Sequence, residues 1–340
     1  MKKYLRRFLQ RSHRFPWIRF RGNRYLTVRM DTTNKCNLRC SMCPMRLSDE
    51  DPDREWKNID PELFRKIADD LFPLAEVVSL SCGAEPLMNP EFGKYLETLY
   101  KADVPVREVV TNAVLLNDEN IKMFLDAPPT SLFVSIDGAE AETHAGIRSG
   151  ADLGHIIFML EKLIKARDKR GKKFPMVSFS VTLQKANYTE LQDIIRLAAG
   201  IGAESVSTVP LVAYKGLGMS DEVVDMSSGE IRDTLKLSAD TADNLGVGFT
   251  VPDAGSNGES NSCKYLDSWI FVDPDGKVFP CPYWNTSQPV GDFTLNTFEQ
   301  IWSGTAYNTL REHISKGILK GICSICPENR DSENIEILKT

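Results

Sequence analysis

Three cysteines, Cys36, Cys40 and Cys43, stand within the stretch "CNLRCSMCP", and no histidine lies near enough in sequence to make an obvious fourth ligand. A structural zinc ion takes four protein ligands and closes its site. A four-iron cluster also takes four ligands, but one of its irons can stay open for a substrate or cofactor. Three thiols, one ligand short, therefore favour a cluster that binds something. Four more cysteines, Cys263, Cys281, Cys323 and Cys326, form a second set, with Gly276 between the first two and a C-x2-C pair at the end. Four thiolates are enough for zinc or for a closed cluster, and the residues alone leave both open. The eighth cysteine, Cys82, belongs to neither set.

The elements that must position these thiols show in the hydrophobic pattern. From residue 25 strand-like and helix-like segments alternate. Strands are expected at 25–31, 77–81, 107–112, 131–137, 176–183 and 204–211, with helices between them. Asp60 followed by Pro61 reads as an N-cap and first helical position. Six such steps imply a parallel sheet covered by helices, either an open doubly wound sheet or an incomplete barrel. After residue 215 the rhythm changes to one helix at 227–246, a polar loop, a hairpin turning at Asp275–Gly276 and a helix over 297–314. The expected domains are a basic extension at 1–24, a core at 25–215 and a smaller cysteine-rich domain at 216–340.

The 340 residues are 42% hydrophobic and 26% charged, an ordinary globular composition. No apolar run approaches the ~18 residues that span a bilayer, and the N-terminus is too basic and too broken for a secretory signal. A cytoplasmic protein is expected, in which cysteines serve as metal ligands or catalytic groups instead of disulfides. Residues 1–30 hold ten Lys or Arg and no acid, so against a formal −6 for the whole chain the remainder carries −16. That basic extension fits either an anionic or membrane surface or packing against the chain's own acidic body. No nucleic-acid partner is expected.

The Cys-x3-Cys-x2-Cys loop directly after the first strand of a repeating βα domain resembles the signature of radical S-adenosylmethionine (SAM) enzymes. The resemblance implies a partial (β/α)6 TIM-type barrel and a [4Fe–4S] cluster on Cys36, Cys40 and Cys43. The open iron of that cluster chelates SAM, which is cleaved to a 5′-deoxyadenosyl radical that abstracts hydrogen from substrate. Met42 stands where the family usually has an aromatic residue, and methionine can fill the same apolar contact. "SCGAEP" at 81–86 is similar to the family's GGEP segment, so Gly83, Ala84 and Glu85 are expected to hold the SAM amino group. By the same resemblance Asn112, Ser135, Asp137 and Arg148 are SAM contacts at later strand ends. Each of them taken alone is equally a solvated loop residue.

Following such a core, the second cysteine set resembles an auxiliary-cluster "twitch" domain, the short relative of the seven-cysteine SPASM domain. That implies a second [4Fe–4S] cluster on Cys263, Cys281, Cys323 and Cys326, with every iron occupied by protein. The arrangement is similar to that of 2-deoxy-scyllo-inosamine dehydrogenase. The function expected is dehydrogenation of a small polar substrate, carbohydrate-like or linked to a nucleotide or phosphate, with the auxiliary cluster accepting an electron. The alternatives are a radical epimerase of a sugar or peptide, and a peptide or protein maturase. Flavodoxin or ferredoxin is the expected reductant. No general base is identifiable. Tyr214 and Lys215, after the sixth strand, are candidates to line the substrate pocket, with a solvated loop as the other reading.

Overall fold

The computed structural model describes residues 24–49, 55–251, 263, 265–284 and 288–326. The basic extension at 1–23, and with it the anionic or membrane contact, lies outside the described residues. Six strands follow one another side by side in a parallel sheet: β1 (Leu26–Met30), β2 (Ala75–Ser79), β3 (Val106–Thr111), β4 (Ser131–Ser135), β5 (Met176–Leu183) and β6 (Ser205–Pro210). Each is joined to the next through helix on the outer face, which is the (β/α)6 order expected. The connecting helices are α1 (Met45–Asp49), α2 (Pro61–Leu71), α3 (Phe92–Lys101), α4 (Asp118–Asp126), α5 (Ala141–Ile147), α6 (Leu153–Lys169) and α7 (Leu191–Ile201).

Local signals set these boundaries. The Asp60 carboxylate accepts the backbone N–H groups of Glu62 and Leu63 at the start of α2, and Pro61 needs no donor there. Spacing of three and four then puts Phe64, Ile67, Ala68 and Leu71 on one buried stripe. Gly202, left-handed at φ 81°, ends α7.

Strand alternation sorts the sheet into two faces. Val28 of β1 pairs with Val78, and Leu132 with Val109 and Val177, all fully buried under the helices. The opposite, inner face carries Arg29, Ser79, Glu108 and Ser131 in one register row, and Ser178, Ser180, Ser205 and Ser207 further round. Side chains of paired residues in a parallel sheet share a face, so these line the inside of the barrel.

The C-terminal quarter does not stand apart from this sheet. β8 (Trp269–Val272) pairs parallel to β1, β9 (Lys277–Phe279) returns antiparallel, and β10 (Gly291–Asp292) adds to its edge. Gly276, left-handed at φ 76°, makes the expected hairpin turn. At the other edge β7 (Gly248–Thr250) pairs with β6, giving ten strands in all among the described residues. That strand was not expected, nor was α5. α8 (Gly229–Leu245) leads into β7. The helix expected over 297–314 is two, α9 (Phe298–Trp302) and α10 (Thr305–Ser315), broken at Gly304, where a Cβ would meet the Gln300 carbonyl oxygen at 2.8 Å.

Candidate active site

β1 delivers the chain to the C-terminal mouth of the barrel, and the first cysteine loop is pinned there by backbone hydrogen bonds. The N–H groups of Arg39 and Ser41 donate to the carbonyls of Ser149 (3.2 Å) and Ile147 (2.9 Å), and that of Glu85 donates to Lys35 (3.0 Å). Cys36, Cys40 and Cys43 line one small cavity together with Leu38, Arg39, Met45 and Arg46. Asn112 points its amide nitrogen at Cys36 Sγ (3.9 Å) and donates to Asn37 (2.9 Å), while the Arg148 guanidinium lies 3.7 Å from Cys40 Sγ. Burial pushes the Cys36 and Cys40 thiols up, with Arg148 opposing it at Cys40. Sulfurs that face donors yet hold their protons fit ligands that ionise on meeting a metal. Met42 is buried against Leu38, Cys40, Ile147, Leu211 and Met219.

The strand-end residues brace one another around this loop. Glu85, almost wholly buried, accepts hydrogen bonds from Thr111 Oγ1 (2.7 Å), the Asn112 N–H (2.8 Å) and the Leu87 N–H (3.1 Å). Burial raises its pKa to about 7 against those bonds. Asp137, fully buried, pairs with Arg148 Nε at 2.6 Å and accepts the Thr182 N–H at 2.6 Å. Burial raises the Asp137 carboxyl and Arg148 opposes it. His144 holds the same corner, its Nδ1 accepting the Asp137 N–H at 3.2 Å, and burial lowers it to about 4, keeping it neutral. Ser135 ends β4 half-buried. Gly83 and Ala84 sit in the turn held by Asp31, a residue the sequence did not single out. Its carboxylate accepts the Cys82 N–H (2.5 Å) and the Gly83 N–H (3.0 Å), and burial raises it to about 7.

Tyr214 reaches this region. Burial, then the neighbouring Cys43 and Cys82, pushes its hydroxyl up to about 12. Lys215 is exposed. Cys82 is open to solvent by area yet walled by protein, and burial with Asp31 beside it raises its thiol to about 12.

The second set also converges. Burial pushes the Cys281 thiol far up, and Cys263, Cys326 and Cys323 add to the rise, so all four sulfurs feel one another. Their surroundings are aromatic: Trp269, Phe271 and Phe279 pack with Tyr265, Cys281 and Trp284. Four thiolates brought together in this way could hold a closed cluster or a zinc ion. Sequence reasoning also missed Arg29 and Glu108, an ion pair at 3.1 Å on the inner face. They stand 79 positions apart, and only the β1–β2–β3 register brings them together.

The fold and the thiol sets define a radical SAM protein with an auxiliary cluster domain. The radical SAM superfamily model matches residues 30–198, and an iron–sulfur cluster-binding (SPASM) domain matches residues 263–327. The chain carries a radical SAM domain followed by a SPASM-type iron–sulfur domain, and its cofactors are SAM, a SAM-binding [4Fe–4S] cluster and an auxiliary iron–sulfur cluster. Among curated proteins it is 28% identical to the AdoMet-dependent heme synthase of Methanosarcina barkeri over 325 residues, 88% of this chain and 87% of the relative. Among solved structures it is similar to SuiB of Streptococcus suis bound to S-adenosylmethionine (TM-score 0.71, 13% identity, 92% of this chain and 77% of the other). SuiB bound to precursor peptide SuiA gives 0.66, with 13% identity over 92% and 76%. BtrN in complex with AdoMet and 2-DOIA gives 0.50, with 14% identity over 86% and 88%. No helix among the described residues is long and apolar enough to cross a membrane.

Proposed function

We propose that the protein is a radical SAM oxidoreductase that removes two hydrogens from a small polar substrate, with the auxiliary cluster as electron acceptor. What supports the reading is the second thiol set: Cys263, Cys323 and Cys326 stand near enough to Cys281 to raise its thiol, which offers four protein thiolates to one cluster, in a domain joined through β8 to the strand that leads into the SAM-side loop. A closed cluster can take an electron but offers no position to a substrate. The serine-rich inner face suits hydroxyl-bearing substrates.

When bound, the SAM-side cluster and SAM supply a 5′-deoxyadenosyl radical, which takes one hydrogen atom from a substrate carbon. The protein handles the rest. A base would accept the proton of the adjoining hydroxyl, the auxiliary site would take one electron, and the substrate would leave with a new C=O bond. The electron that SAM cleavage requires would come from an external flavodoxin or ferredoxin. In SAM binding, Arg148 is assigned to the carboxylate and the Gly83–Glu85 turn to the amino group. Asn112, Ser135 and Asp137 frame the ribose side, and Met42 packs beside the adenine. A cytoplasmic, reducing setting fits eight cysteines that are all free thiols.

A second reading, radical epimerisation of a sugar or peptide, is favoured by Cys82. It belongs to neither thiol set, stands in the turn held by Asp31 on the SAM side and is exposed, so its thiol hydrogen is accessible to a substrate radical. Similarity to SuiB bound to a precursor peptide supports a peptide as that substrate.

Anaerobic reconstitution with iron, sulfide and zinc assayed together tests the proposal. Two four-iron clusters give ~8 iron per chain, falling to ~4 in Cys323→Ala/Cys326→Ala. About 4 iron with ~1 zinc would remove the internal acceptor and sink the dehydrogenase reading. In a screen of sugars and peptides, a two-hydrogen mass loss marks dehydrogenation. Deuterium uptake from heavy water without mass loss marks epimerisation.

A further inference from the structure

The ion pair between Arg29 and Glu108 stands beside the SAM-side bracing, on the inner face of the barrel. Arg29 in β1 and Glu108 in β3 both flank Ser79 of β2, on the inner face of the barrel. Across β1 on the other side, Arg29 stands in register with Phe271 of β8, part of the aromatic group that holds Cys281. Its charge is also felt at Asp31 and Cys82, on the SAM side. The pair thus lies between the two thiol sets.

The two partners are not equivalent. The Glu108 side chain is 14% exposed and its Oε2 is buried, whereas Arg29 keeps 28% of its side chain open to the inner space. Their contact at 3.1 Å joins one guanidinium nitrogen, Nη1 of Arg29, to one carboxylate oxygen, Oε2 of Glu108. A guanidinium offers five N–H donors in a fixed fork, and this one is not locked to its counter-ion in the bidentate manner. Removing two charges from water costs several kcal/mol per ion, and well-packed apolar residues serve stability at least as well. A charged pair on the concave face of a barrel is instead what a polar ligand needs for orientation.

We propose that Arg29 is the anion anchor of the substrate cavity, taking a carboxylate or phosphate group of the substrate. Glu108 is a positioning residue that holds the guanidinium in place and is displaced from it as the ligand arrives. This rests on the radical SAM reading above and adds the substrate class: a polar molecule bearing an anionic group. Ser180 and Ser207, half-buried and in register on the same face, supply hydroxyls for its neutral part, while Ser178 and Ser205 bond each other at 2.7 Å.

The test uses the reconstituted, SAM-loaded holoenzyme and two probes, inorganic phosphate and acetate, each titrated against chloride at constant ionic strength with the melting temperature as readout. A ligand that binds only the folded protein raises that temperature in a saturable way. The expected result is a saturable rise of several degrees with at least one probe. It is larger at equal concentration in Glu108→Gln, where the competing charge is gone. It is absent in the charge-free double variant Arg29→Met/Glu108→Gln, which leaves no carboxylate stranded and so keeps the fold. Phosphate alone assigns a phosphorylated substrate, and acetate alone a carboxylate. Equal shifts in wild type and double variant, or no saturable shift in wild type, overturn the proposal and leave a purely structural ion pair. Substrate-free production of 5′-deoxyadenosine under reduction is measured in parallel. Its loss in every variant and in wild type would strike the radical SAM reading alone, and its persistence without anion binding would strike this proposal alone.

Discussion

The two thiol sets share their chemistry but not their neighbours. Around Cys36 and Cys40 stand an amide and a guanidinium, backed by a second layer of Glu85, Asp137, His144 and Asp31. Around Cys281 stand Tyr265, Trp269, Phe271, Phe279 and Trp284. A site that must receive a charged, polar cofactor at its open position needs donors and acceptors at fixed points, and these stay put only if they brace one another. A site whose ligands are all protein needs no such reception. Aromatic packing excludes water from it and keeps it rigid. The contrast teaches that openness of a cluster site can be read from its surroundings as well as from its ligand count.

The comparison breaks first at Arg148. Arg148→Met leaves fully buried Asp137 without its counter-charge, so the apo protein should lose ~3–5 kcal/mol in denaturant unfolding. The companion Arg148→Met/Asp137→Asn should recover much of that. The same substitution must leave iron in the auxiliary set unchanged. If it does not, the two regions are not independent.

A smaller effect comes from pH. Asp31 has a folded pKa raised from 3.8 to about 7. A carboxyl with its pKa raised on folding binds its proton more tightly in the folded state. Its favourable contribution is therefore complete below about 4 and is lost as pH rises through about 7. Unfolding free energy of the apo protein should fall across that window, and Asp31→Asn should flatten the slope. An unchanged slope would remove Asp31 from the braced layer.

Most of the barrel was legible because each strand–helix step carries its own period. Residues 176–183 form a strand with the expected bounds, and Asp60–Pro61 caps the helix it should. What escaped lies in short or long-range features. The three-residue β7 is too short to show alternation, and α5, from Ala141 to Ile147, is a seven-residue helix read as loop. Gly304 splits one amphipathic pattern into two helices because backbone crowds the position where a side chain would go. The thiols were legible from spacing alone. Asp31, His144 and the Arg29–Glu108 pair were not, since nothing local marks a residue whose partner is supplied by another strand or loop.

The smallest expected effect sits in the C-terminal region. Tyr307 is wholly buried between Trp302 and Arg311, and among the described residues its hydroxyl has no hydrogen-bond partner. Tyr307→Phe removes a desolvated polar group, so apo stability should rise by up to ~1 kcal/mol. A loss of similar size would show that the hydroxyl serves a partner there, and the auxiliary side would then be less apolar than its neighbours imply.

The β1–β8 pairing has a consequence for how the molecule is made. Thr27 and Trp269 are register partners 242 positions apart, and the N–H groups of Thr27 and Asp31 donate to Ser268 and Val272. At ~5–20 residues per second, β1 leaves the ribosome on the order of ten seconds or more before its partner exists. Until then that edge is an unpaired strand, open to wrong partners, and the cysteine loop hanging from it has half its foundation. A chain truncated before β8 should therefore be a poor acceptor of iron at the first site, as iron assayed after anaerobic reconstitution would show.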